Sequence, residues 1–358
     1  MTAEAATRPP LTDQERRSIE AGAADLHLEN RSITGLSIPA KVFERARLRD
    51  VDFVAVDFQG ARFKGGSLEN LSLTHCRLTD VTFEQLEATG LRLDECELTQ
   101  VGFDRCQLRG WQVVGMQARQ LGLSDCTVTD MEDDQGSYQG GAWTRVQLIG
   151  ARWSRTELEG LKLENVGLDG GTLKQVKFTE PHATSWRFQS VEVDRLSVAF
   201  GEVSGLTLDG VGGRSLAFSS LRLTDMKVTR CALAGLTLAG VKCRGLVVED
   251  CPQVTPLMLP DSEIVGLRVS RSKLGLLSLR GTNLTGVAVI EGCSMLGGDL
   301  EDAILDGLAI HASVIDGNLH APRLRAKDLH LEGLRYGVNY HLSDEGATYQ
   351  GGAFARKR

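Results

Sequence analysis

The chain has 358 residues, of which 42% are hydrophobic and 24% charged, the proportions of a folded protein rather than a disordered one. Its net charge of −7 gives no electrostatic ground for binding nucleic acid or an anionic membrane, and no stretch is apolar enough to span a bilayer. The 8 cysteines have spacings unlike those of zinc knuckles and suit a reducing compartment.

Residues 1–10 read as a disordered tail ending in Pro9 and Pro10. They lack the apolar core of a secretory signal, so the expected location is cytoplasmic, with export open only to a signal-independent system. Thr12 to Leu26 read as one helix, because Thr12 and Glu15 have capping-box spacing. Its expected role is to cover the open end of the repeat that begins just after it.

From Leu28 to Met258 a large apolar residue recurs at every fifth position: Leu28, Ile33, Ile38, Phe43, Leu48, Phe53, and so on through Leu233 and Leu238. The exceptions are Ala88, Ala118, Asp133, Ala183, Gly213, Cys243 and Gln253. A helix repeats every 3.6 residues and a strand every two, so this period implies a solenoid whose short units bury their apolar residue by stacking. A smaller inward residue sits two positions earlier (Val51, Val56, Ala61, Leu71, Cys76), and Gly often occupies the fifth, turning position.

The units Val51-Asp52-Phe53, Val56-Asp57-Phe58, Ala61-Arg62-Phe63 and Ala303 to Gly307 resemble those of the pentapeptide-repeat family over roughly residues 26–336. The resemblance implies an all-β fold, a right-handed quadrilateral parallel β-helix with four units per turn. About fifteen turns at a strand spacing of about 4.8 Å would make a body about 70 Å long. Residues twenty apart then stack, which places Cys76 with Cys96, Cys106 with Cys126 and Cys231 with Cys251 as small core residues.

The register has defects. Asp133 stands where a core residue belongs, so Met131 to Ser137 is expected to bulge outward, with milder faults at residues 181–183 and 211–213. Near Pro252 and Pro256 the column slips by one, to Ile264, Val269, Leu274, Leu279, Leu284 and Val289, and then again to Met295, Leu300, Leu305, Ile310 and Ile315. After Asn318 it becomes ragged. The expected layout is therefore a tail and capping helix (1–25), a regular β-helix (26–258), a slipped continuation (259–340) and an irregular tail (341–358) ending in the basic residues 356–358. Tyr138 to Trp143 (YQGGAW) recurs as Tyr349 to Phe354 (YQGGAF), a duplicated edge motif or a coincidence.

Nucleophile-elbow, P-loop, GxGxxG and HExxH motifs are absent, and the acidic residues fall at outward positions, so no catalytic residue, cofactor or metal ligand is assigned. His311 and His330, and His320 and His341, are about one turn apart and could stack; a metal-dependent enzyme built on them is one alternative. Trp111, Trp143, Trp153 and Trp186 either fill wide turns or form an exposed patch. The function expected is a non-catalytic protein-binding scaffold, with Asp133, Asp134, Tyr138, Trp143 and Trp153 or the irregular C-terminal third as the docking site. The family context points to accessory or cargo proteins of type VI-like bacterial secretion systems, and the partners would then be secretion-machine components. The other alternative is a DNA mimic acting on type II topoisomerase, but the outward columns mix Arg, Thr, Glu and Asp rather than forming an acidic stripe. An open last turn would need a cap, a partner, or a second copy forming a homodimer through the coil end.

Overall fold

The computed structural model describes residues 8–355, so the expectations for residues 1–7 and 356–358 lie outside the described residues. Chain contacts divide the molecule after Gly171 into two units.

In the first unit the helix runs Asp13–Ala21, shorter than expected. Thr12 caps it with the reciprocal Thr12–Glu15 capping box, and Gly22 ends it in the left-handed region at φ 69°. Ile19 is its buried residue, and Glu15 holds Arg31 at 2.9 Å, which fixes the helix against the first turn. Arg8 to Pro10, assigned above to a tail, are instead attached there: Arg8 reaches Asp52 at 2.8 Å and the Pro9 carbonyl accepts from Ser32.

Beyond the helix, strands pair in parallel with residues 20 further on, and from Ser72–Thr74 they are three-residue strands every five residues, as in Leu73↔Leu93 and Leu93↔Val113. Four strands therefore make one turn of a parallel β-solenoid. Its interior is layered: Phe43, Phe63, Phe83 and Phe103 stack at centroid distances of 4.9, 5.2 and 4.6 Å. At the corners the fifth residue adopts positive φ whether or not it is glycine, as at Asp50 (53°), Ala55 (53°) and His75 (53°). A left-handed L-residue costs about 1–2 kcal/mol. Each corner N–H recovers part of that cost by bonding the neighbouring turn, for example Ala55 to Thr74 and His75 to Asp94, both at 3.0 Å.

The second unit begins at Thr172 with the same 20-residue pairing, as in Leu196↔Leu216 and Phe218↔Leu238. Residues 181–183 and 211–213, expected to be faulty, keep that register. The Gly213 geometry accounts for the missing side chain: at φ 110° a Cβ would lie 2.0 Å from the Val193 carbonyl oxygen.

One-residue slips do occur, but not all where the sequence column placed them. The first precedes Val254, which pairs with Leu233 at an offset of 21, so Leu259 rather than Met258 is the core residue. The second falls at residues 286–287, so Ala288 and Ile290, not Val289, are buried. In this stretch buried serines at the small inward position accept from the turn before: Ser262 from Val241 N–H and Ser272 from Cys251 N–H. The stretch expected to be ragged continues as solenoid, with Leu319↔Leu342 and Ala326↔Tyr349 paired at an offset of 23 through Thr348–Gln350. The last turn is closed in part by its own chain: Phe354 is buried, and Tyr340 donates to the Ala355 carbonyl at 2.7 Å.

The corner geometry separates two kinds of glycine. Gly140 occupies a corner that other residues tolerate, whereas Gly141, at φ 98°, would place a Cβ 2.2 Å from the Leu121 carbonyl oxygen. Gly141→Ala is expected to cost about 1–3 kcal/mol and Gly140→Ala about 1 kcal/mol, read as shifts of the urea midpoint.

Candidate functional site

Asp133 is the polar side chain that the five-residue column places in the core. No bulge forms around it. Glu132–Asp134 is an ordinary strand, with Asp133 paired between Val113 and Trp153. The carboxylate is 2% exposed. It is accommodated because Gly136 N–H donates to Oδ1 at 3.0 Å and the Tyr138 hydroxyl donates to Oδ2 at 2.5 Å. Burial pushes its pKa up to about 6, against the lowering effect of those two donors, and burial likewise holds the Tyr138 hydroxyl well above its usual range.

Of the five residues expected to meet a partner, four are therefore inside. Tyr138, Trp143 and Trp153 pack edge to face at 6.1 and 6.0 Å, in the turns that carry Asp133. Asp134 alone faces outward, where Arg155 grips both oxygens (2.6 and 2.5 Å) and lowers its pKa. Trp111 and Trp186 are also buried, so the tryptophans fill wide turns rather than forming a patch. The indole N–H groups of Trp111, Trp143 and Trp186 have no acceptor among the described residues.

The repeated hexapeptide is part of a longer repeat, which the sequence reading missed. Asp133 and Tyr138 correspond to Asp344 and Tyr349, and the Tyr349 hydroxyl donates to Asp344 Oδ2 at 3.3 Å. The two glycines also correspond: a Cβ on Gly352 would lie 2.0 Å from the Leu329 carbonyl oxygen, as one on Gly141 would crowd Leu121. Trp143 and Phe354 then both turn inward. An aspartate five residues before the tyrosine was the available signal. In the second copy Asp344 and Tyr349 are half-buried.

The thiols of Cys76, Cys96, Cys106, Cys126, Cys231 and Cys251 are unoxidised and buried, and each donates to a backbone carbonyl, as Cys96 does to Leu73 at 3.3 Å. Contact with Cys76, followed by burial, holds the Cys96 thiol above its usual range. The histidines do not stack. With the offset at 21 or 23, His311 faces Glu332 and His341 faces Asn318. Outward charges are largely consumed between turns, as in Arg45–Asp25, Arg145–Asp125, Arg152–Glu132 and Arg214–Asp194. These exposed pairs are well screened by water.

Interior voids are too small for a ligand, about 20 Å³ each, and wholly apolar in lining. The larger depressions lie on the outer faces, such as the one of about 410 Å³ along His182, Thr184, Glu202, Ser204, Arg222 and Thr224. No described helix is long and apolar enough to cross a membrane.

Inward apolar residues every five positions, four strands to a turn and parallel stacking define a repeat solenoid whose interior is filled by its own side chains. Residues 56–132 match the family model described as pentapeptide repeat region. No curated protein matches it. Among solved structures it is similar to full-length QnrB1, a plasmid-mediated fluoroquinolone resistance protein, at 15% identity and TM-score 0.27, covering 59% of this chain and 93% of that one. It is also similar to HetL, a pentapeptide repeat protein involved in heterocyst differentiation regulation in the cyanobacterium Nostoc, at 16% identity and TM-score 0.21, covering 85% of this chain and 97% of that one.

The raised pKa of Asp133 fixes the sign of a pH effect. The folded state holds the proton more tightly than the unfolded chain, so the contribution is fully present below about pH 3.8 and is lost as pH rises through about 6. Asp133→Asn should remove this dependence, making the variant relatively more stable above pH 6 by up to about 3 kcal/mol. Urea denaturation of both proteins from pH 4 to 8 measures the difference.

Proposed function

We propose that this protein is a binding scaffold that engages another protein through the outer surface of its C-terminal third. The observation that carries this reading is where the slips send their side chains. Val287, at the slip opposite Val265, is 80% exposed, and Leu296, where the strand opposite Lys273–Ser278 loses register, is 65% exposed. Val265, Leu276 and Ile304 add further exposed aliphatic surface to the same part of the chain. Exposed aliphatic anchors among charged and hydroxyl side chains are what a protein interface requires.

The region around residues 131–143 serves this role only indirectly, by holding rigid the turns that carry Asp134 and its neighbours. Self-association has one natural place, the last turn, where Asp344 and Tyr349 lie half-buried. A secretion-machine component is the partner class we favour. A type II topoisomerase is the competing one, and the interleaved arginine–carboxylate pairs make the outer faces a poor imitation of a DNA phosphate backbone.

The reading is tested by pull-down from a bacterial lysate with the purified chain and with Val287→Asp and Leu296→Asp variants that melt as the parent does. Secretion-machine proteins retained by the parent, and depleted at least about tenfold by either variant, support it. Retention of topoisomerase subunits that both variants keep would overturn it.

A further inference from the structure

The strand turn at residues 299–320 gathers three side chains of metal-ligating chemistry. Ligand atoms of Asp299, Glu301 and His320 all lie within 4.8 Å of one another. The slip in register creates the grouping. Asp299 is paired with His320 at an offset of 21, in a column that runs from the buried Ser278 through Asp299 to the exposed His320 and on to Ser343. At the 20-residue offset of the regular turns, Asp299 would instead meet Leu319, whose side chain is buried.

The two carboxylates are held rather than loose, and the strand that carries His320 is fixed beside them. Glu301 N–H donates to Asp299 Oδ1 at 3.1 Å, and Leu300 N–H donates to the His320 carbonyl at 2.6 Å, tying the two strands together at the site. Glu301 is 19% exposed, the most shielded member of its ion-pair network. Arg323 donates to its Oε1 at 2.5 Å and Arg280 stands 3.4 Å from its Oε2.

Two guanidinium groups stand beside the cluster, yet its charge balance still favours a cation. Arg323 also grips both oxygens of Asp302, at 2.7 Å each, so that pair is neutral between its members. Arg280 then offsets one of the two remaining carboxylates, Asp299 and Glu301. With a neutral imidazole the cluster carries one net negative charge. The Arg323 hydrogen bond orients the Glu301 carboxylate as an outer-shell partner orients a metal-bound one. The longer contact from Arg280 is the one a metal would displace.

We propose that Asp299, Glu301 and His320 form a surface site for a small first-row divalent cation of the zinc type. One imidazole and two carboxylates form the mixed nitrogen–oxygen donor set that zinc accepts, whereas magnesium and calcium favour oxygen ligands alone. Three protein ligands leave a fourth position for water or for a group from a partner. By bridging two turns of the region assigned above to protein binding, the ion would stiffen that surface, although the site itself does not depend on that assignment.

The test is titration of the full chain with zinc chloride alone, followed by calorimetry and by the His320 imidazole resonances in NMR. The expected result is one zinc ion per chain, with the His320 resonances shifted in step with binding. His320→Ala and Asp299→Asn should each weaken binding at least about tenfold, while His341→Ala, on the next strand, leaves it unchanged. Unmoved His320 resonances in the parent chain, or binding that survives both variants, would overturn the proposal. The NMR arm decides the matter even if a variant fails to fold.

Discussion

Turn-on-turn backbone hydrogen bonding is the constraint on which everything else in this protein depends. Away from the ends, the described strands find partners about twenty residues away on either side, so an inward side chain there is flanked by the inward side chains of the neighbouring turns. The interior is thus a set of side-chain columns rather than a single nucleus. Phe43 to Phe103 form one such column, and Cys76 with Cys96 occupy another. A residue that breaks a column must be accommodated within one turn or be extruded.

Both outcomes occur. Asp133 is accommodated: Tyr138 and Gly136 supply hydrogen bonds inside the turn, and the aromatic side chains of Trp143 and Trp153 fill the space around it. A buried carboxylate without such donors would be strongly destabilising. That the same aspartate–tyrosine pair, the same close-packed glycine and the same inward aromatic recur at Asp344, Tyr349, Gly352 and Phe354 argues for a local module, not an accident of one turn. In its second occurrence the module closes the solenoid, with Phe354 drawn into the interior. Extrusion is the fate of Val287 and Leu296, where an added residue leaves no inward position to occupy.

The fold was legible because a period of five is compatible with neither helix nor free-standing strand, and Leu, Phe and Val at those positions specify inward side chains directly. The capping box at Thr12 and Glu15 was legible for the same local reason. What could not be read was whatever depended on a polar partner of a core position or on a partner one turn away. Asp133 looked like a bulge because its donors, unlike an apolar neighbour, leave no signature in the column. The second slip was misplaced because Val289 and Ile290 are both good core residues, and only pairing with Val269 selects Ile290. The histidines were matched to each other by a repeat length that no longer applies beyond residue 253.

The same reasoning separates the two halves of the functional question. A regular solenoid offers little chemistry: its interior is filled, and its outer charges are engaged by a neighbouring turn, as Arg145 is by Asp125 and Arg214 by Asp194. New surface chemistry arises where the offset departs from twenty, because side chains that were interior or mutually neutralised are then re-paired. Val287, Leu296 and the Asp299–Glu301–His320 cluster all belong to the stretch after residue 253. Irregularity in a repeat fold of this kind is therefore not only a loss of order. It is the means by which a uniform scaffold acquires places that differ from one another, and a partner needs such places in order to choose one face and one position along it.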